Sequence, residues 1–184
     1  MRSSRPLRRV LLTALAGLLS TGMAASAAAQ QPAMPDAPPE DVATIDAIIA
    51  AVYESISGPA GPRDWDRFRS LFVPGARLIP TGRTAAGEAS VQVWTPDEYA
   101  ERVAPYFNES PFFEVEAARI VEEFGSIAHV FSTYESRRDP ADAPFQRGIN
   151  SFQLFNDGTR WWVVTIFWDA ERDGNPIPAK YLGG

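Results

Sequence analysis

The sequence contains no cysteine and a single histidine, His129. Without cysteine there is no disulfide, no thiol nucleophile, no thiolate metal site and no lipid-modified N-terminal cysteine. One histidine rules out mechanisms that need a pair of them. A phosphate-binding loop, a dinucleotide fingerprint and a nucleophile elbow are also missing. Asp169-Ala170-Glu171-Arg172-Asp173-Gly174 starts like a calcium loop. Lys180 stands at its twelfth position, however, where such a loop needs a bidentate glutamate. No metal and no cofactor are therefore expected, and this segment reads as a solvated acidic turn.

The apolar run from Val10 to Leu19 is about half the ~20 residues that a membrane-spanning helix needs. It follows Arg2, Arg5, Arg8 and Arg9 and precedes Ala27-Ala28-Ala29. Basic, apolar and small-residue parts in that order predict a secretory signal peptide over 1–29, cleaved near Ala29. The expectation is a periplasmic or secreted protein without a stable membrane anchor. Loss of the four arginines takes the formal charge from −6 to −10. So acidic a domain repels phosphate backbones and anionic membranes, which argues against nucleic acid as a partner. Residues 30–40, QQPAMPDAPPE, read as a proline-rich extended linker. Residues 41–184 then suit one domain with a sizeable core.

Ile45, Ile48, Ile49, Val52, Tyr53 and Ile56 fall on one face of a helix that Asp41 or Thr44 starts and Gly58-Pro59 ends. A short second helix follows Asp64, with Trp65, Phe68 and Phe72 on one side. Ala76 to Pro80 and Ser90 to Trp94 read as short strands. Thr95-Pro96-Asp97-Glu98 is a capping box with proline at the first helical position, and predicts a third helix up to Pro111. Phe112 to Glu122 and Ser126 to Arg137 read as long strands. Two further runs, Arg147 to Phe155 and Thr159 to Asp169, flank Asn156-Asp157-Gly158 and predict a hairpin.

Helices gather first and strands last, which implies an α+β fold. The segments Asp64-Trp65 through Ala76-Arg77-Leu78 and Gly148 to Trp168 resemble the NTF2-like (SnoaL-like) superfamily. The resemblance covers about Asp41 to Asp169. It implies an NTF2-like cone, with N-terminal helices packed in a strongly curved antiparallel sheet around an open-ended cavity. It also implies a homodimer through the outer face of the sheet. Both faces of the last strand are apolar, Trp161, Val163, Thr165 and Phe167 against Trp162, Val164, Ile166 and Trp168, so alternation alone does not say which one lines the cavity.

Tyr53 on the first helix and Tyr134, Asn150 and Trp168 on three strands of one sheet are the expected pocket residues. His129 is the one candidate base near neutral pH, since histidine ordinarily changes charge there; a surface or dimer-contact histidine is its more ordinary use. A ketosteroid isomerase-like site needs a carboxylate base and a neutral donor in an apolar pocket, which Asp169, Tyr53 and Tyr134 offer. The single histidine departs from scytalone dehydratase-like members, which use two. No pair of aspartates stands beside Arg119 or Arg147, as limonene epoxide hydrolase-like members require. The leading expectation is a cavity for a small, mostly apolar molecule. A cofactor-free isomerase, lyase or hydrolase is the alternative, and a dimeric interaction module without ligand is the third reading.

Overall fold

The computed structural model describes residues 36–183. The expected signal peptide, and the linker through residue 35, lie outside them. Pro39 opens a short helix, α1 (Pro39–Val42), inside the stretch expected to be a linker. Proline at a first helical position has its φ already set and gives up no needed donor. Asp41 is buried there and takes Arg67 on both carboxylate oxygens, at 2.7 and 2.9 Å.

Thr44 caps α2 (Ile45–Ile56), its hydroxyl accepting from the Ala47 N–H at 3.0 Å. The apolar face of α2, including Ile48, Ile49, Val52 and Tyr53, lies in the core. Asp64 caps α3 (Trp65–Ser70). The Thr95 and Glu98 capping box opens α4 (Pro96–Glu109), which carries Pro105 within it.

Six strands form one sheet in the order β2-β1-β6-β5-β4-β3. They are β1 (Phe72–Arg83), β2 (Ala89–Val91), β3 (Phe113–Phe124), β4 (Ile127–Arg137), β5 (Gln146–Asn156) and β6 (Trp161–Ala170). Gly125, at φ 58°, makes the tight β3–β4 turn. The β5–β6 turn is held by Asp157, whose carboxylate accepts from the N–H groups of Thr159 and Arg160 at 2.8 and 2.9 Å. The sheet differs from the expected antiparallel one in a single pairing: β1 and β6 run parallel. The chain leaves β1 through β2 and α4 and returns only after a meander of four strands, so its last strand meets its first in the same direction.

Register breaks bend the sheet. One lies in β1 between Phe72 and Arg77, one in β3 between Glu116 and Ala118, and one where β5 meets β6 between Gln153 and Leu154. Such bulges sharpen twist and turn side chains to the other face. In β6 the break falls at Val164, because Leu154 pairs Val163 whereas Gln153 pairs Thr165. Strict alternation expects Val163 and Ile166 on opposite faces; the bulge buries both, and Phe167 points out.

The inner face packs Ala128, Val130, Phe152, Leu154, Val163 and Ile166 against α2 and α3. The outer face is partly covered by the chain's own end. Ile177 is buried, Phe131 and Tyr181 rings sit 4.9 Å apart, and the Thr133 hydroxyl donates to the Tyr181 carbonyl.

Candidate functional site

Between α2, α4 and the inner face of the sheet lies a cavity of about 270 Å³. Tyr53, Tyr134, Asn150 and Trp168 all line it. Register explains the meeting of the three strand residues: Ser132 pairs Asn150, Asn150 pairs Trp168, and Tyr134 pairs Gly148. Gly148 is what allows Tyr134 its place. A Cβ at that position would stand 2.5 Å from the Tyr134 hydroxyl and 2.4 Å from the Asp169 carbonyl.

Tyr53 is not a free donor. Its hydroxyl lies 2.7 Å from Ser132 Oγ, and Ser132 Oγ donates to Glu116 Oε1 at 2.5 Å. The serine proton is thereby spent, so Tyr53 donates to Ser132 and accepts from Asn150 Nδ2 at 3.1 Å. Glu116 is in turn held by Arg119 at 2.7 Å. Burial pushes the Tyr53 hydroxyl well above its ordinary pKa, so it stays neutral.

The residue that the sequence reading missed is Glu114, on β3. Its carboxyl lines the cavity, accepts from Ser136 Oγ at 2.8 Å and is hydrogen-bonded by the Asn150 amide. Burial pushes it up to about 7 against those two hydrogen bonds. Tyr99 and Tyr134 line the same cavity, and their hydroxyls take no hydrogen-bond partner among the described residues. Burial and the nearby Glu114 charge raise both, so they are neutral donors facing open space.

Glu114 hid behind an ordinary pattern. Phe113-Glu114-Val115-Glu116 alternates, and alternation sends the apolar residues inward. Here Val115 is exposed and the glutamates turn in. The signal for it lies in the complementary strand: Ser132, Tyr134 and Ser136 alternate on β4, and hydroxyls facing inward need acceptors.

His129 is elsewhere. It points to the outer face, half-exposed, with Nε2 3.1 Å from Ser151 Oγ and Nδ1 4.0 Å from a Glu122 oxygen. It does not line the cavity, whose titrating group near neutrality is Glu114. Asp169 also faces outward, paired with Arg172 at 2.6 Å, and Arg147 is paired with Glu171 at 2.8 Å. Among the described residues no group of three or more acidic or histidine side chains is placed to hold a metal ion.

No protein-family model matches the sequence, and no curated protein matches it significantly. Solved structures do match it in shape. A protein of unknown function with a cystatin-like fold from Nostoc punctiforme superposes with a TM-score of 0.52 at 10% identity, over 69% of this chain and 88% of that one. A Xanthomonas campestris protein described as a calcium/calmodulin dependent protein kinase II association domain gives 0.50 at 12% identity, over 70% and 86%. An NTF2-like protein of unknown function from Shewanella baltica gives 0.45 at 15% identity, over 68% and 89%. At such identities the likeness is one of fold. The fold shared with the first two is an α+β one, with helices held in a curved six-stranded sheet.

Proposed function

We propose that the cavity of this NTF2-like cone binds a small, mostly apolar molecule carrying one polar group. The lining supports this reading: aromatic walls enclose Glu114, Asn150 and the Tyr134 hydroxyl in one space. The test is binding of 4-tert-butylcyclohexanone, an apolar body whose one carbonyl can accept from Tyr134, followed by tryptophan fluorescence. Trp168→Phe and Tyr134→Phe should weaken it while leaving the melting temperature within a few degrees. Loss of several kcal/mol of stability in both variants would make these residues core, and the reading would fail.

A second reading is favoured by Glu114. A carboxyl poised at about 7 gives or takes a proton at neutral pH. Neutral tyrosine hydroxyls beside it suit a developing oxyanion. We therefore also propose a cofactor-free isomerase, lyase or hydrolase with Glu114 as the proton-transfer group. Deuterium exchange next to the carbonyl of small apolar ketones should occur with the wild type and vanish in Glu114→Gln. The open cavity gives no support to a ligand-free module.

Export and a homodimer remain part of the proposal. Intact mass should lack the first ~29 residues, the length of a typical secretory signal. Exposed Val164 and Phe167 on the outer face supply apolar surface for a second copy. Light scattering should then give twice the mature mass, unless the tail over Phe131 already suffices as cover.

A further inference from the structure

The charge inventory of the cavity is lopsided. Among the described residues no arginine, lysine or histidine lines it, and Glu114 is its one carboxylate. Elsewhere the partly buried acids have arginines: Asp41 has Arg67, Glu116 has Arg119, and Glu135 has Arg137. Glu114 forms no ion pair among the described residues and is met only by neutral groups, Ser136 and Asn150.

The walls have a matching bias. Trp94, Tyr99 and Trp168 line the cavity together, with ring centroids 6.5, 6.5 and 6.4 Å apart. The rings stand at 43, 61 and 87° to one another, so a charge held over that near-equilateral triangle lies within ~6 Å of all three centroids and is attracted by the ring faces turned towards it. Trp94 already receives one: the exposed Arg102 guanidinium covers it at 5.0 Å.

We infer that the cavity takes a hydrophobic cation, an ammonium on an apolar body, whose charge is received by Glu114 and the Trp94, Tyr99 and Trp168 rings. The inference rests on the proposed cavity reading and names its ligand class. The ligand supplies the counter-ion that the protein withholds from Glu114. An anion or a second acid would add to the repulsion, and a neutral molecule would leave the carboxyl unpartnered.

Binding must then depend on pH through Glu114. The groups around it are Tyr53 from α2, Ser57 at the end of that helix, Tyr99 from α4, Tyr134 and Ser136 from β4, and Asn150 from β5. An adjoining depression that shares Tyr53 and Glu114 also holds Arg119 and Arg137. Both are engaged, Arg119 by Glu116 and Asp46 and Arg137 by Glu135. The Tyr53, Tyr99 and Tyr134 hydroxyls do not ionise near neutrality, since all three are raised.

Phenyltrimethylammonium and tert-butylbenzene separate charge from shape, since they are nearly isosteric and the cation keeps its charge at every pH. Both are titrated against the full chain by tryptophan fluorescence. Above about pH 8 the cation should bind about tenfold tighter than the hydrocarbon, and near pH 5 most of that advantage should be gone. Glu114→Gln should bind tert-butylbenzene as the wild type does and lose the pH dependence. Trp94→Leu should weaken the cation more than the hydrocarbon and so narrow the cation's advantage. Equal or tighter binding of tert-butylbenzene above pH 8 overturns the inference and leaves the cavity reading standing. No binding of either probe overturns both.

Discussion

On the outer face of the sheet, hydrogen bonds from Arg172 hold Asp169 below the usual carboxylate range. Glu171 beside it is held down by the Ile177 backbone N–H and by Arg147. On the inner face, Glu114 is pushed up to about 7. The outer acids keep water and gain arginines. The inner acid loses water and gains only Ser136 and Asn150, two neutral donors. One curved sheet thus carries acids of opposite character, and what divides them is burial: Glu116, which also turns inward, is raised by burial even though Arg119 holds it. Function is to be sought where the protein has left the charge uncompensated.

At Gly148 the inner-face Tyr134 and the backbone of Asp169 crowd one position, so the largest effect should come from disturbing it. In Gly148→Ala the new Cβ meets the Tyr134 hydroxyl at 2.5 Å and the Asp169 carbonyl at 2.4 Å. The tyrosine has a ring to swing aside, but the carbonyl is backbone in a paired strand. A cost of at least about 3 kcal/mol is expected, at the upper end for overpacking. Thermal unfolding measures it, and a variant as stable as the wild type would show that β4, β5 and β6 are looser here than the contact implies.

The next effect distinguishes the acids directly. The Glu114 carboxyl stands at about 7 in the fold against an ordinary 4.5. Its folded pKa is raised, so its stability contribution is fully present below about 4.5 and is lost as pH rises through about 7. The shift corresponds to roughly 3 kcal/mol. Glu114→Gln does not ionise, so its stability relative to the wild type should climb across that window and level off above about pH 8. Urea melts at a series of pH values read it. Parallel curves would mean that water reaches the inner acid as freely as the outer ones.

A smaller effect is expected from Ser132→Ala. Ser132 is fully buried, and its loss strips Tyr53 of its acceptor and Glu116 of a donor. An unsatisfied buried hydroxyl costs about 1–3 kcal/mol. Tyr53 would then have a proton free for a ligand, so weaker folding should come with altered binding of hydroxyl-accepting probes. A variant unchanged in stability would show that the chain from Asn150 to Glu116 is incidental.

Much of this was legible in the chain. Caps at Thr44, Asp64 and Thr95 fixed where helices begin, because side-chain capping is local. Tyr134, Asn150 and Trp168 were expected on three strands of one sheet, and Tyr53 on the helix lying against it. What escaped was non-local. The bulge at Val164 reversed the faces of β6 beyond it, and no residue there announces a bulge. The parallel β1–β6 pairing depends on where the chain returns. Glu114 looked like a solvated strand glutamate, because its burial comes from α2 and α4 rather than from its own neighbours.

The smallest effect should come from His129, and it sharpens the contrast between the faces most finely. A histidine and a carboxyl raised to about 7 invite the same explanation for any pH dependence near neutrality. They stand on opposite faces of the sheet. His129 is half-exposed, touches Ser151 and Phe131, and does not line the cavity, whereas Glu114 does. His129→Gln keeps a polar group within reach of Ser151, so stability should change by less than about 0.5 kcal/mol, as for most surface substitutions. The pH midpoint of probe binding should stay where the wild type has it, while Glu114→Gln removes that midpoint. If His129→Gln instead moves the midpoint and Glu114→Gln does not, the titrating group lies on the outer face and the cavity acid is a structural one.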